Sequence, residues 1–129
     1  MLRVSLVMFM ALTACGGGDP QAIDAAGSGS ADAAPPSVVA VTPCPGTVAA
    51  TVTSDNASFV YTPAATTITQ GQVVKFTMSS THNVAPTSMM SDPGLNVGFG
   101  AEKCLMFTKT GTFKFKCTPH GFSGTVTVN

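Results

Sequence analysis

Two histidines and one cysteine are the residues of this sequence whose types and spacing could support chemistry. Cys117 ends an alternating apolar run, His120 lies three residues later, and His82 comes just after another β-like run, residues 73–78. Two imidazoles and a thiolate are the soft donor set that copper prefers in a trigonal site, usually with a weak axial ligand. Because the donors end or follow strand-like runs, the pattern predicts a metal site at one end of a β-structure.

The same residues allow other kinds of chemistry. Zinc accepts these donors but prefers tetrahedral closure by a fourth ligand. Cys117 and His120 could instead form a hydrolytic pair, with the thiolate as nucleophile. An inward-facing cysteine on a rigid strand offers no obvious substrate cleft, so we expect that the protein is not an enzyme.

The cysteine count leaves two disulfide pairings open. If Cys15 is lipidated, Cys44, Cys104 and Cys117 remain, and an odd number in an exported protein leaves one thiol unpaired. A hairpin around Gly111 would place Cys104 opposite Cys117. A disulfide between these two cysteines would remove the thiolate from the metal site. The alternative joins Cys44 to Cys104, closing a long loop and contributing about 4 kcal/mol in the chain-entropy description.

The N-terminus predicts export and a lipid anchor. Residues 1–14 combine Arg3 with an apolar core at 4–12, which is shorter than the ~20 residues needed to span a bilayer but typical of a signal peptide. Leu-Thr-Ala-Cys, ending at Cys15, resembles a bacterial lipobox, whose cysteine is acylated. We expect attachment to a bacterial membrane, facing the periplasm or the cell exterior. An ordinary signal peptide cut nearby is the alternative.

The chain then divides into a tether and one domain. Residues 15–37 are dominated by Gly, Ala, Ser, Asp and Pro, which bury too little apolar surface to offset the entropy of ordering. We therefore expect a flexible linker at 15–37 and a folded domain at 38–129. The formal net charge of +0 provides no extended basic surface, so nucleic acid is not an expected partner.

Short β-like runs separated by Gly, Pro, Asn and Ser predict an all-β sandwich or barrel for the domain. Within the run that ends at Cys117, the phenylalanines and the cysteine alternate with Lys114 and Lys116, so the thiol should face the core. The predicted strands are residues 48–53, 59–61, 67–68, 73–78, 105–108, 112–117 and 125–128.

Four segments in order make residues 57–129 resemble the cupredoxins, the small blue-copper family that includes plastocyanin, pseudoazurin and amicyanin. They are the turn and strand at 69–76, the first histidine segment at 81–84, the cysteine strand and loop at 107–120, and the closing strand at 124–128. The resemblance implies a Greek-key β-sandwich with one copper ion, Cu(II) or Cu(I), at one end.

The resemblance also implies roles for particular residues. His82, Cys117 and His120 match the equatorial copper ligands. Asn83 matches a residue that bridges the two ligand loops by hydrogen bonds, here to Thr118. The strands before and after the Gly111 turn lie in opposite sheets in this family, which separates Cys104 from Cys117 and favours the Cys44–Cys104 disulfide.

The axial position departs from the family pattern. Members with a short loop have methionine three residues after the second histidine, where this chain has Ser123. Three alternatives stay open. The site is three-coordinate, with the Ser123 side chain too short to reach copper, or Met89, Met90 or Met106 supplies a sulfur ligand. Otherwise a water, a hydroxyl or a backbone carbonyl fills the axial position, or copper binding has been lost. A missing thioether should favour Cu(I) and raise the reduction potential.

The expected function is that of a membrane-tethered type 1 copper protein that carries single electrons. The exposed edge of His120 would be the electron port, and Pro119, Gly121 and Phe122 would form an apolar rim where redox protein partners dock. A copper-binding or copper-delivery protein without an electron-transfer role is the main alternative. A metal-free interaction module is the third.

Overall fold

The computed structural model describes residues 35–129, so the predicted signal peptide, Cys15 and most of the predicted linker lie outside the described residues. In the described part, no helix is long and apolar enough to cross a membrane. The eight strands of residues 35–129 are β1 (Val38–Val41), β2 (Ala50–Thr53), β3 (Ala65–Ile68), β4 (Val73–Thr77), β5 (Ala85–Pro86), β6 (Glu102–Phe107), β7 (Gly111–Lys116) and β8 (Ser123–Val128).

The strands form two four-stranded sheets, ordered β1-β6-β4-β2 and β3-β8-β7-β5. Two pairs, β2 with β4 and β3 with β8, are parallel, and the other pairs are antiparallel. The predicted Greek-key β-sandwich is confirmed. Consecutive strands β6 and β7 lie in opposite sheets, so the turn between them crosses the sandwich and is not a hairpin.

The period-two alternation of the sequence explains how the sheets pack. In β7 and the residue after it, Phe115 and Cys117 are fully buried, while Lys114 is exposed. Gly124 on β8 faces Phe115 so closely that a Cβ there would overlap the phenylalanine ring. The core between the sheets consists mainly of Val38, Val52, Tyr61, Ile68, Val74, Phe76, Met78, Val84, Leu95, Val97, Leu105, Phe107, Phe115, Val126 and Val128.

Three local expectations differ from the structure. The predicted strand at 59–61 is wrong, because these residues belong to the loop between β2 and β3, where only Tyr61 is buried. Strands β1 and β5 were not expected from the sequence. Strand β1 pairs with β6 at the edge of its sheet, and β5 is only two residues long, so neither shows a long alternating pattern.

The strand register defines two ends of the sandwich. At one end, which we call the histidine end, Thr77 pairs with Glu102 just before the loop that carries His82. At the other end, Val38 pairs with Phe107, and the Ser37 carbonyl accepts a hydrogen bond from the Thr108 N–H at 2.8 Å. The described chain therefore enters the domain at the end opposite the histidines.

A disulfide joins Cys44, in the loop after β1, to Cys104 on β6, with a sequence separation of 60 residues. Cys104 is fully buried and pairs with Lys75 of the neighbouring strand. The bridge therefore fastens an exposed loop to an inner strand of one sheet. Cys117, which follows β7 in the other sheet, forms no disulfide with another cysteine of residues 35–129.

Candidate metal centre

His82 lies in the loop after β4 and is buried, with 1% of its surface exposed. Its backbone N–H donates to the Ser79 carbonyl at 3.2 Å, which closes a turn between strand and histidine. The ring Nδ1 is 3.2 Å from the Ser79 hydroxyl, whose oxygen is 3.4 Å from that of Ser54. The other ring nitrogen, Nε2, is buried and has no hydrogen-bond partner among the residues that the structure describes.

Cys117 directly follows β7, and its thiol is fully buried. A tight loop holds it, because the Cys117 N–H donates to the Phe122 carbonyl and the Gly121 N–H donates to the Cys117 carbonyl, both at 2.9 Å. Gly121 has a φ of 73°, a left-handed conformation that side-chain-bearing residues rarely adopt. The loop can therefore reverse within a few residues and return the chain to β8.

His120, on this loop, meets both of the other residues. Its Nδ1 lies 3.6 Å from the Cys117 Sγ. Its ring centroid is 4.9 Å from that of His82, with the two planes perpendicular. Unlike His82, His120 is exposed. The structure thus brings together the three side chains that were predicted as ligands, from two loops that belong to opposite sheets.

The side chains of His82, Cys117 and His120 do not form a complete metal coordination sphere in this structure. Within residues 35–129, no group of three or more His, Cys, Asp or Glu side chains is arranged to hold a metal ion. The residues nevertheless fit copper in two respects. A buried ring nitrogen without a partner, such as Nε2 of His82, is costly, and a cation bound at that nitrogen would relieve the cost. The buried Cys117 thiol beside the His120 imidazole, which in turn contacts the His82 ring, is also the donor chemistry that copper prefers.

Asn83 connects the two loops that carry these side chains. Its side-chain oxygen accepts hydrogen bonds from the Thr118 N–H at 2.9 Å and from the Thr118 hydroxyl at 3.1 Å. Its backbone carbonyl accepts a bond of 2.6 Å from the Tyr61 hydroxyl. The loop after β4 is therefore tied both to the cysteine loop and to the loop between β2 and β3.

Aromatic rings form the wall behind the three side chains. The Phe122 ring lies 4.9 Å from that of His82 and 4.6 Å from that of Tyr61, which also packs edge-on against Phe115 at 4.8 Å. Burial raises the pKa of the Tyr61 phenol above its usual range, with a smaller contribution from the nearby Cys117. The phenol therefore stays protonated and keeps its hydrogen bond to the Asn83 carbonyl.

In the described part of the chain, none of the four residues considered as axial ligands is brought to this group. Ser123 is exposed at the start of β8, on the outward-facing register that alternates with buried Gly124. The side chains of Met89 and Met90 are fully exposed to solvent. Met106 pairs with Val73, far along β6 from the histidine end.

Sequence reasoning missed three contributors to the centre. Ser79 contacts His82, Tyr61 supports Asn83, and Phe59 places its ring 4.7 Å from that of His120. No motif signals these roles, because each contact joins a side chain to a loop placed by the folded sandwich. The one available signal was compositional, since Tyr61 is the only tyrosine of the chain.

The two packed sheets, together with the group of one cysteine and two histidines, are typical of small β-sandwich metal proteins. A family model described as copper binding proteins of the plastocyanin/azurin family matches residues 48–129. That range is more than half of the chain, and the chain belongs to this family, whose cofactor is one copper ion. A search of curated proteins found no match to the sequence.

Solved structures support the fold. Amicyanin from Paracoccus versutus is 23% identical, with coverage of 71% of this chain and 91% of amicyanin and a TM-score of 0.53. A reduced Cu(I) form of an amicyanin variant at pH 4 is 19% identical, with coverage of 72% and 99% and a TM-score of 0.57. A further Cu(I) amicyanin variant is 21% identical, with the same coverage and a TM-score of 0.55.

The Asn83 bridge makes a testable contribution to stability. Replacement Asn83→Ala removes the acceptor of both Thr118 hydrogen bonds, and we expect the free energy of unfolding to fall by about 1–2 kcal/mol. Urea unfolding of the copper-free protein measures this change. The control is Asn96→Ala, at an exposed asparagine. Equal stability of the two variants would show that the bridge contributes nothing.

Proposed function

We propose that the protein is a type 1 (blue) copper protein that carries single electrons by cycling between Cu(II) and Cu(I). The observation that carries the proposal is the free, buried thiol of Cys117, 3.6 Å from Nδ1 of His120, in a chain whose other two cysteines within residues 35–129 are oxidised to a disulfide. Because Cys117 takes no part in that disulfide, its thiolate is available to bind a metal. Family members act as electron carriers, and we infer no enzymatic reaction.

The proposed ligands have different roles. Cys117 supplies the thiolate, and His82 is the buried imidazole that keeps water from the inner side of the centre. His120 is the exposed imidazole, through which electrons enter and leave. Copper supplies the one-electron redox chemistry, while the protein holds the three donors. No axial protein ligand is included, because Ser123 faces outward and the candidate methionines lie elsewhere.

Fast electron transfer requires that the donors move little between the two oxidation states. The centre is suited to this requirement because its parts are cross-braced: Asn83 joins the loops of His82 and Cys117, and backbone hydrogen bonds close the turn from Cys117 to Phe122. Rings packed at 4.6–4.9 Å fill the space behind them. Such packing resists displacement of the two buried donors, His82 and Cys117.

The exposed surface around His120 is the proposed docking area for redox partners. Pro119 and Gly121 on either side of it are exposed, and Phe122 is partly buried beneath them. These residues carry no charge, so a partner can approach closely without desolvating ionised groups. A short distance to the imidazole edge favours transfer between the proteins.

We further propose that the domain is exported and held at a bacterial membrane by lipidated Cys15, facing the periplasm or the exterior, with residues 15–37 as the tether. The entry of the chain supports this part of the proposal. Ser37 and Val38 lie at the end of the sandwich opposite the histidines. An anchor attached there would leave the surface around His120 free for partners.

Copper binding or delivery without electron transfer is a second candidate function. It is favoured by one observation, the placement of all four possible axial residues away from the centre, which lowers the number of donors that would retain copper. Optical and EPR spectra distinguish the two functions. A blue site gives an intense charge-transfer band and narrow copper hyperfine splitting, whereas a delivery site gives a weak band and ordinary splitting.

Replacement Cys117→Ser tests the thiolate assignment. Removing the sulfur removes the donor of the charge transfer, so the copper-reconstituted variant should lose the intense visible band completely. Copper titration followed by absorption and EPR measures the loss. Survival of the band in Cys117→Ser would refute the assignment of Cys117 as a ligand.

Replacement Ser123→Ala tests the absence of an axial hydroxyl ligand. Since the Ser123 side chain faces outward from β8, its removal should leave the band position and the reduction potential of the copper form unchanged. Redox titration compares the variant with the unmodified protein. A clear shift in potential would show that the hydroxyl reaches the metal.

A further inference from the structure

An aromatic side chain from a distant loop covers the exposed imidazole. The Phe59 ring centroid lies 4.7 Å from that of His120, tilted by 48°, and 6.1 Å from that of His82. Phe59 itself is 65% exposed, so it has not been drawn into the core. We propose that Phe59 is a positioning residue that holds the His120 ring in the orientation used to bind copper.

The loop that carries Phe59 is closed at its base and braced internally. Thr53 and Thr62 exchange two backbone hydrogen bonds of 2.9 Å, which close the loop. Within it, the Asp55 carboxylate accepts hydrogen bonds from the N–H groups of Ala57 and Ser58, both at 2.7 Å. These bonds, first from Ala57 and then from Ser58, hold the pKa of Asp55 below its usual value, so the carboxylate stays ionised as an acceptor.

The same loop is tied to the loop that carries His82. The Asn56 side-chain oxygen accepts hydrogen bonds from the Ser80 hydroxyl at 3.3 Å and the Thr81 hydroxyl at 3.0 Å. Phe59 therefore sits on a segment whose position is set relative to the buried histidine. A braced loop can hold an exposed aromatic ring in one place, which a free loop could not do.

His120 needs such a support because the sandwich restrains it weakly. It is exposed, on a loop that contains a left-handed glycine, and its ring is not enclosed by the core. The His82 ring contacts it at 4.9 Å, its Nδ1 lies 3.6 Å from the Cys117 Sγ, and Phe59 provides a second aromatic contact. Rotation of the imidazole into solvent would break all three contacts. Loss of one aromatic pair corresponds to about a two- to tenfold change in the population of the held orientation.

Three variants separate the effect of the ring from the effect of apolar surface. Phe59→Leu removes the aromatic ring but keeps an apolar side chain, and Phe59→Tyr keeps the ring. Val60→Ala is the matched control, because Val60 is a neighbouring exposed apolar residue of the same loop. Both positions are exposed, so the fold should be retained, which the amide NMR spectrum of each variant verifies.

The first measurement uses the copper-free protein. The ring-proton shifts of His120 should carry the upfield ring-current contribution of Phe59, lose it in Phe59→Leu, and keep it in Phe59→Tyr and Val60→Ala. Side-chain relaxation should show a more mobile imidazole in Phe59→Leu only. Unchanged shifts and mobility in Phe59→Leu would overturn the proposal. This measurement does not depend on whether copper binds.

The second measurement rests on the proposed function. The rate at which the Cu(I)-loaded protein transfers copper to a colorimetric Cu(I) chelator should rise about two- to tenfold in Phe59→Leu, in line with the loss of one aromatic contact. It should stay unchanged in Phe59→Tyr and Val60→Ala. Equal rates in all four proteins would overturn the positioning role. Failure of every protein to retain Cu(I) would instead refute the proposed function, while the copper-free NMR result would still decide the contact.

Discussion

The burial of the Cys117 thiol beside the His120 imidazole, which contacts the His82 ring, is the constraint on which the rest of this structure depends. It requires Cys117 to face inward, which the alternation of β7 imposes by placing Lys114 in solvent and Phe115 in the core. It also requires that no other cysteine reach the thiol. The crossing of the chain from β6 to β7 meets this requirement, because Cys104 lies in the other sheet and is joined to Cys44.

The surroundings of the three side chains show how a small sandwich can give precise placement to loop residues. The His82 and Cys117 loops come from different sheets, and the Asn83 side chain joins them. Aromatic packing then fills the space between the loops and the core, and the absence of a side chain at Gly124 allows Phe115 to approach β8 closely. Each of these contacts contributes little by itself, but together they restrict the movement of the three side chains.

The fold could be predicted because its signals are local. Alternation predicts strands that face a core, and several short strands with turn residues between them predict a sandwich. The sequence predicts a strand at 59–61 because Phe59, Val60 and Tyr61 are β-favouring residues, whereas the Asp55 turn and the Thr53–Thr62 backbone hydrogen bonds hold them in a loop. Contacts such as Ser79 with His82 depend on how loops meet in space, which residue spacing along the chain does not encode.

The central claim is that one thiolate and two imidazoles share a single copper ion. X-ray absorption at the copper edge of the reconstituted protein tests this claim most directly, in both the oxidised and the reduced form. The account predicts one short copper–sulfur scatterer and two imidazole nitrogens, with little change in distances between the two forms. A spectrum without a sulfur scatterer, or with oxygen donors in place of the imidazoles, would contradict it.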